Sequence, residues 1–238
     1  MALTRHIPNM ITSMNLLSGV LGVIFTLEGH VEWAFPLMLF AAVFDFCDGL
    51  AARLLQAYSP IGKELDSLAD LVSFGVLPAV MLYKVIPEDA PAVLRFIPLF
   101  IAAMSALRLA KFNIDQRQTL DFIGLPTPSC AMVCGSLATW LNLRGGCPAG
   151  TAVWLLDLLA VILGLLLVSE IPMFGMKIKK GHKLLDTKRI AFLIGALALA
   201  AAAVLMHWNW SLAVLAVFSF YIVENIVAAV INSCRRAA

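Results

Sequence analysis

Charge is what this sequence has least of. Only 13% of its 238 residues are Asp, Glu, Lys or Arg, where an ordinary soluble domain carries about 25%. Hydrophobic residues make up 61%, and mean hydropathy is +0.92. Too few polar groups are present to cover a globule in water, and the composition also excludes a disordered chain or a nucleic-acid-binding tail. Net charge is only +2, so bulk charge names no partner. Cysteine is scarce too. Cys47, Cys130, Cys134, Cys147 and Cys234 show no paired metal-ligand spacing. Cys130 and Cys134 lie four apart in an apolar run, where small buried thiols are common. Neither a disulfide framework nor a redox site is expected. His6, His30, His182 and His207 fall near helix ends, which favours solvated roles over metal ligation.

What the chain has in abundance is long apolar runs. A helix needs about 20 mostly apolar residues to cross a bilayer core of about 30 Å. Eight candidates meet or approach this: 10–27, 32–55, 62–86, 92–112, 126–143, 151–171, 190–207 and 210–231. Turn residues separate them, among them Ser59-Pro60, Pro87 to Pro91, Gly124-Leu125-Pro126 and Pro172 to Gly181. The first run is long and turns into another span at Gly29-His30, unlike a cleavable signal peptide. The expectation is an all-α polytopic membrane protein, a single domain over 1–238. Lys and Arg sort by side: of the seventeen, only Lys84, Arg95 and Arg144 fall on one side of the alternation. Positively charged loops stay in the cytoplasm, so both termini are expected there.

Charges inside spans are costly and mark function. Asp45, Asp48, Gly49, Ala52 and Arg53 follow helical spacing and share one face of the second helix. Asp66 and Asp70 lie one turn apart on the third. A short connection makes these helices antiparallel neighbours. With cytoplasmic termini, Asp66 and Asp70 lie about 6–12 Å into the membrane, level with Asp45 and Asp48 and open to the cytoplasm. Four carboxylates this close cannot all remain ionised with Arg53 as sole compensation. Hard oxygen ligands of this kind suit Mg²⁺ or Mn²⁺, whose usual task is to hold substrate phosphates. Gly49 and Ala52 keep the face open to a ligand. A buried ion-pair network is the bland alternative, though four acids to one base make a poor network. A cation channel or transporter is another.

Residues 45–70, DFCDGLAARLLQAYSPIGKELDSLAD, resemble the signature of the CDP-alcohol phosphatidyltransferase family, D-x2-D-G-x2-A-R-x8-G-x3-D-x3-D. Asp45, Asp48, Gly49, Ala52, Arg53, Gly62, Asp66 and Asp70 occupy every fixed position. Further pieces resemble the members that take serine as acceptor: IPNMITSMN at 7–15, LADLVSFGVLPA at 68–79, LRLAKFN at 107–113, GLPTPS at 124–129 and VSEIPM at 168–173. Lys111 stands where similar sequences commonly carry Arg.

The resemblance implies a helical membrane enzyme with a two-metal site, usually a homodimer. It implies that Asp45, Asp48, Asp66 and Asp70 hold the cations and that Asp70 is the general base. Gly49, Ala52, Arg53, Ser59 and Gly62, with Asn9 and Thr12, would bind CDP-diacylglycerol. Attack by the hydroxyl of L-serine would then give phosphatidylserine and CMP. Serine's carboxylate needs a cation, for which Arg108, Lys111 and Lys177 are candidates, and its ammonium needs an acceptor, for which Glu170 or Asn15 could serve. The remaining basic residues up to Lys188 read as a face for anionic lipid headgroups. Competing readings are a relative using glycerol phosphate or inositol phosphate, a membrane prenyltransferase, or a cation transporter. A phosphorylated acceptor should require a second strongly basic pocket. A transporter should show symmetric halves, and the sequence shows none.

Overall fold

The computed structural model describes residues 6–115, 122–174 and 187–237. Helices dominate, and six are long and apolar enough to cross a membrane. Helix α1 (Ile7–Leu27) opens with Pro8 in its first turn, where a missing N–H does no harm. Gly29, at φ +95°, turns the chain into α2 (Val31–Leu54). The third span is a continuous rod, Pro60–Val85, in three parts: α3 (Pro60–Asp70), a π turn (Leu71–Val76) and α4 (Leu77–Val85). Pro78 accounts for the wide turn: it has no N–H for the Phe74 carbonyl four residues back, and its ring would clash there in a regular helix. The fourth span joins α5 (Ala92–Phe96), a 3-10 turn (Ile97–Leu99) and α6 (Phe100–Ile114).

Helix α7 (Thr127–Asn142) has 16 residues, too few to span by itself at about 20 per crossing. It is instead the centre of the bundle, packed by α2, α4 and α10. Small residues permit this: Cys130, Ala131, Cys134, Ser136 and Ala138 are buried, and Gly135 lies against Phe35 and Met38 of α2. Helices α8 (Thr151–Val168) and α10 (Trp210–Ala237) contribute the last two long spans. Helix α9 (Thr187–Leu205) holds a shorter apolar stretch, Phe192–Leu205. The eight expected segments are therefore all helical, six of them with spanning length and apolarity. Outward faces are apolar: Leu17, Phe40, Phe46, Leu155 and Leu158 are all exposed, as hydrocarbon surroundings require.

One expectation fails locally. The sixth span was expected to run to residue 171, but α8 stops at Val168. The chain then becomes extended, and β2 (Pro172–Met173) pairs antiparallel with β1 (Phe122–Ile123). Pro172 cannot continue a helix, and the Gly124 N–H to Ile171 carbonyl bond extends the ladder. Such irregular backbone is tolerated at membrane depth only where protein or a wet cavity receives its polar groups.

Candidate active site

Helix α2 carries Asp45 and Asp48, and α3 carries Asp66 and Asp70. One oxygen from each of Asp45, Asp48 and Asp66 lies within 4.8 Å of the others. Asp48 is 5% exposed, and its Oδ2 and the Oδ1 of Asp66 are buried with no hydrogen-bond partner among the described residues. Converging, unsatisfied carboxylate oxygens repel one another unless a cation joins them. The donor set is all oxygen and anionic, so it fits a hard divalent ion. Asp70 stands outside that trio, one turn further along α3, but within electrostatic reach of Asp45, Asp66 and Asp48. Asn15 Nδ2 of α1 donates to Asp70 Oδ1 at 3.1 Å. Asn15 is itself held, because the Ser73 hydroxyl of the π turn donates to its carbonyl at 3.0 Å.

Beside the trio lies a cleft of about 200 Å³ between α1, α2 and α3. Asn9, Thr12, Gly49, Ala52, Ser59 and Gly62 line it together with Asp48 and Asp66. These were the residues expected around the CDP group, with one exception: Arg53 is exposed and does not line the cleft. A side chain at Gly49 would meet nothing within 4 Å, so the α2 backbone there is open to a ligand. Ser59 and Gly62 have local duties as well. The Ser59 hydroxyl caps α3 by accepting the Gly62 N–H at 3.0 Å. A Cβ at Gly62 would come within 2.9 Å of Asn9 Oδ1. Tyr58 and Lys63 also line the cleft; each adjoins a selected residue, Ser59 or Gly62, and adjacency was the signal that could have found them.

A second cleft, of about 330 Å³, opens between the end of α6 and the end of α8. It gathers Arg108, Lys111 and Glu170, three of the five residues expected to hold serine. Asp115, missed by sequence reasoning, joins them one helical turn beyond Lys111. Arg108 is 7% exposed, donates to Thr127 Oγ1 at 3.1 Å and lies over the Phe112 and Phe122 rings. Arg108 also lies within electrostatic reach of Asp70. The wall is built by Ile123 and by the chain leaving α8. Gly124, at φ +79°, allows that approach, because a Cβ there would sit 2.9 Å from the Ser169 carbonyl. Asn15 is not in this cleft but on Asp70, and Lys177 lies outside the described residues. Asn113 spaces the two clefts: its Nδ2 donates to Ser67 Oγ at 2.9 Å and to Glu64 Oε2 at 3.3 Å, and its carbonyl accepts from Lys63.

Comparison with known proteins decides the family. The model of the CDP-alcohol phosphatidyltransferase family matches residues 5–219. The chain belongs to that family. Similar proteins include the CDP-diacylglycerol–serine O-phosphatidyltransferase of Mycobacterium leprae, 36% identical over 209 residues, covering 84% of this chain and 67% of that protein. The protein of the same name from Bacillus subtilis is 42% identical over 129 residues, 54% of this chain and 72% of its own. The archaetidylserine synthase of Methanothermobacter thermautotrophicus is 33% identical over 136 residues, 55% of this chain and 56% of its own. CDP-alcohol phosphatidyltransferases generally use divalent metals, and in this member the Asp45, Asp48 and Asp66 trio is an acidic cluster able to hold one.

Proposed function

We propose that this enzyme transfers the phosphatidyl group of CDP-diacylglycerol to the hydroxyl of L-serine, giving phosphatidylserine and CMP in phospholipid synthesis. The observation that carries the choice of acceptor is the lining of the second cleft. Two cations, Arg108 and Lys111, share it with two acids, Asp115 and Glu170. A zwitterion carrying one carboxylate and one ammonium suits such a lining. A phosphorylated alcohol would call for the strongly basic pocket that this lining does not provide.

In this reading Asp45, Asp48 and Asp66, with Asp70, hold Mg²⁺ or Mn²⁺, two ions per site, which when bound neutralise the diphosphate and the charge developing on it. Asn9, Thr12 and the open Gly49 face receive the nucleotide. Arg108 and Lys111 take serine's carboxylate, and Glu170 its ammonium. Asp70, steadied by Asn15, accepts the proton of the serine hydroxyl. The hydroxyl oxygen attacks the phosphorus bearing diacylglycerol, that phosphorus parts from the bridging oxygen, and CMP departs with the electron pair. We further propose a single domain in a homodimer in the cell membrane, with both termini and both clefts on the cytoplasmic side, where serine and CMP are soluble. Arg53, exposed at the mouth, would meet headgroup phosphate from outside the cleft.

Purified protein incubated with CDP-diacylglycerol, Mn²⁺ and a panel of alcohols tests the reading. Serine-dependent CMP release is expected. Release driven by glycerol phosphate or inositol phosphate instead would reassign the acceptor, and no release with any alcohol would refute the activity.

A further inference from the structure

Helix α10 is remote in sequence from the signature and does not line the second cleft, yet it holds the chain that continues from the cleft wall. Asn225 is 2% exposed and Tyr221, one turn earlier, 7%. Asn225 Oδ1 accepts the Phe174 N–H at 2.8 Å, and the Tyr221 hydroxyl donates to the Phe174 carbonyl at 3.0 Å. Both backbone polar groups of one residue are thus held by side chains of one helix. Asn225 Nδ2 donates to the Tyr221 carbonyl at 2.7 Å, which fixes the amide's orientation. The Phe174 ring packs edge-on against Tyr221 and Phe192. Phe174 directly follows β2, and the chain entering β2 carries Ser169 and Glu170 in the cleft wall. Backbone that leaves a helix needs partners that lipid cannot give; for Phe174 α10 supplies them.

We infer that Tyr221 and Asn225 are positioning residues for the acceptor cleft: by gripping Phe174 they set the strand that places Glu170 and Ile123 opposite Arg108. The inference rests on the reading of that cleft as the serine site. Neither residue lines the nucleotide cleft or the carboxylate trio. Their effect therefore belongs on acceptor binding and not on the chemical step.

Tyr221→Phe keeps the ring in its aromatic cluster and removes only the hydroxyl, while Asn225→Ala removes both of that residue's bonds. The purified full chain is assayed with Mn²⁺, titrating serine at saturating CDP-diacylglycerol and then the reverse. For Tyr221→Phe, the KM for serine rises about three- to tenfold, and it rises further for Asn225→Ala. The kcat and the KM for CDP-diacylglycerol stay within about twofold. An unmoved serine KM in Tyr221→Phe overturns the inference, as does a joint loss in kcat and both KM values. Glu170→Gln is measured alongside. If it raises the serine KM and the α10 variants do not, the cleft stands and the role of α10 falls. If it too leaves serine KM unmoved, the acceptor reading falls and takes this inference with it.

Discussion

Asp70 and the trio, four acids of one signature, are placed differently by the fold. The trio converges on a common point, with two buried oxygens unsatisfied, whereas Asp70 is held by Asn15. Replacing Asp70 by Asn keeps the shape and removes the proton acceptor. Turnover should fall by at least about 10²-fold, with CDP-diacylglycerol binding retained; near-normal CMP release would sink the base assignment. Asp45→Asn should act differently, raising the Mn²⁺ concentration for half-maximal activity by about tenfold or more while thermal stability in detergent changes little. An unchanged metal titration would remove Asp45 from the ligands. That Gly49, Ala52 and Gly62 share the first cleft with Asp48 and Asp66 was legible in the sequence, because they belong to a signature whose spacings are helical, so a common face follows from counting. Asn15 was not legible in the same way. Its bond to Asp70 joins residues 55 apart, and local periodicity carries no information about such a contact. Its amide N–H is committed to that carboxylate, while its Oδ1 is buried with no hydrogen-bond partner among the described residues. Arg53 shares the face by spacing, yet near the end of α2 it is exposed.

Elements with a strong period were read nearly to the residue, and those without one were not. The two-residue ladder between Phe122–Ile123 and Pro172–Met173 is too short to leave an alternating pattern, and the π turn is indistinguishable by hydropathy from the helix around it. Both are set by tertiary contacts and by Pro172 and Pro78, which deny an α-helix its donors. The ladder nevertheless contributes Ile123 to the wall of the second cleft. Gly124 is its hinge point, with positive φ and the Ser169 carbonyl against it. Gly124→Ala should destabilise the protein by about 1–3 kcal/mol and weaken serine use before CDP-diacylglycerol use. Thermal melting in detergent together with the two KM values checks this, and a variant with native stability and native serine KM would contradict it.

At the scale of the whole molecule, composition foretold a bundle of membrane helices, and six helices among the described residues have spanning length and apolarity. Of the two shorter ones, α7 has a packing reason for its length. Helix α7 is enclosed by its neighbours, so it needs small residues more than it needs length. Membrane orientation is set by Lys and Arg, of which Arg117 and Lys177 to Lys183 lie outside the described residues. A reporter fused in the loop 144–150 should be active only outside the cell, and one at the C-terminus only inside. The opposite pattern would reverse the proposed facing and put both clefts on the wrong side for soluble serine.

The π turn has a consequence that substitutions would not expose. It separates a lower half of the rod, where Leu77 packs against Gly22 of α1, from an upper half bearing Asp66 and Asp70. Losing any one residue between 71 and 76 would preserve composition, hydropathy and every carboxylate. The wide turn, which holds about one residue more than an α turn, could absorb that loss by closing to α pitch, with both halves near their present bearing. The segment is thus slack built into the rod: it takes up an extra residue ahead of Pro78 while the acids keep their compass bearing.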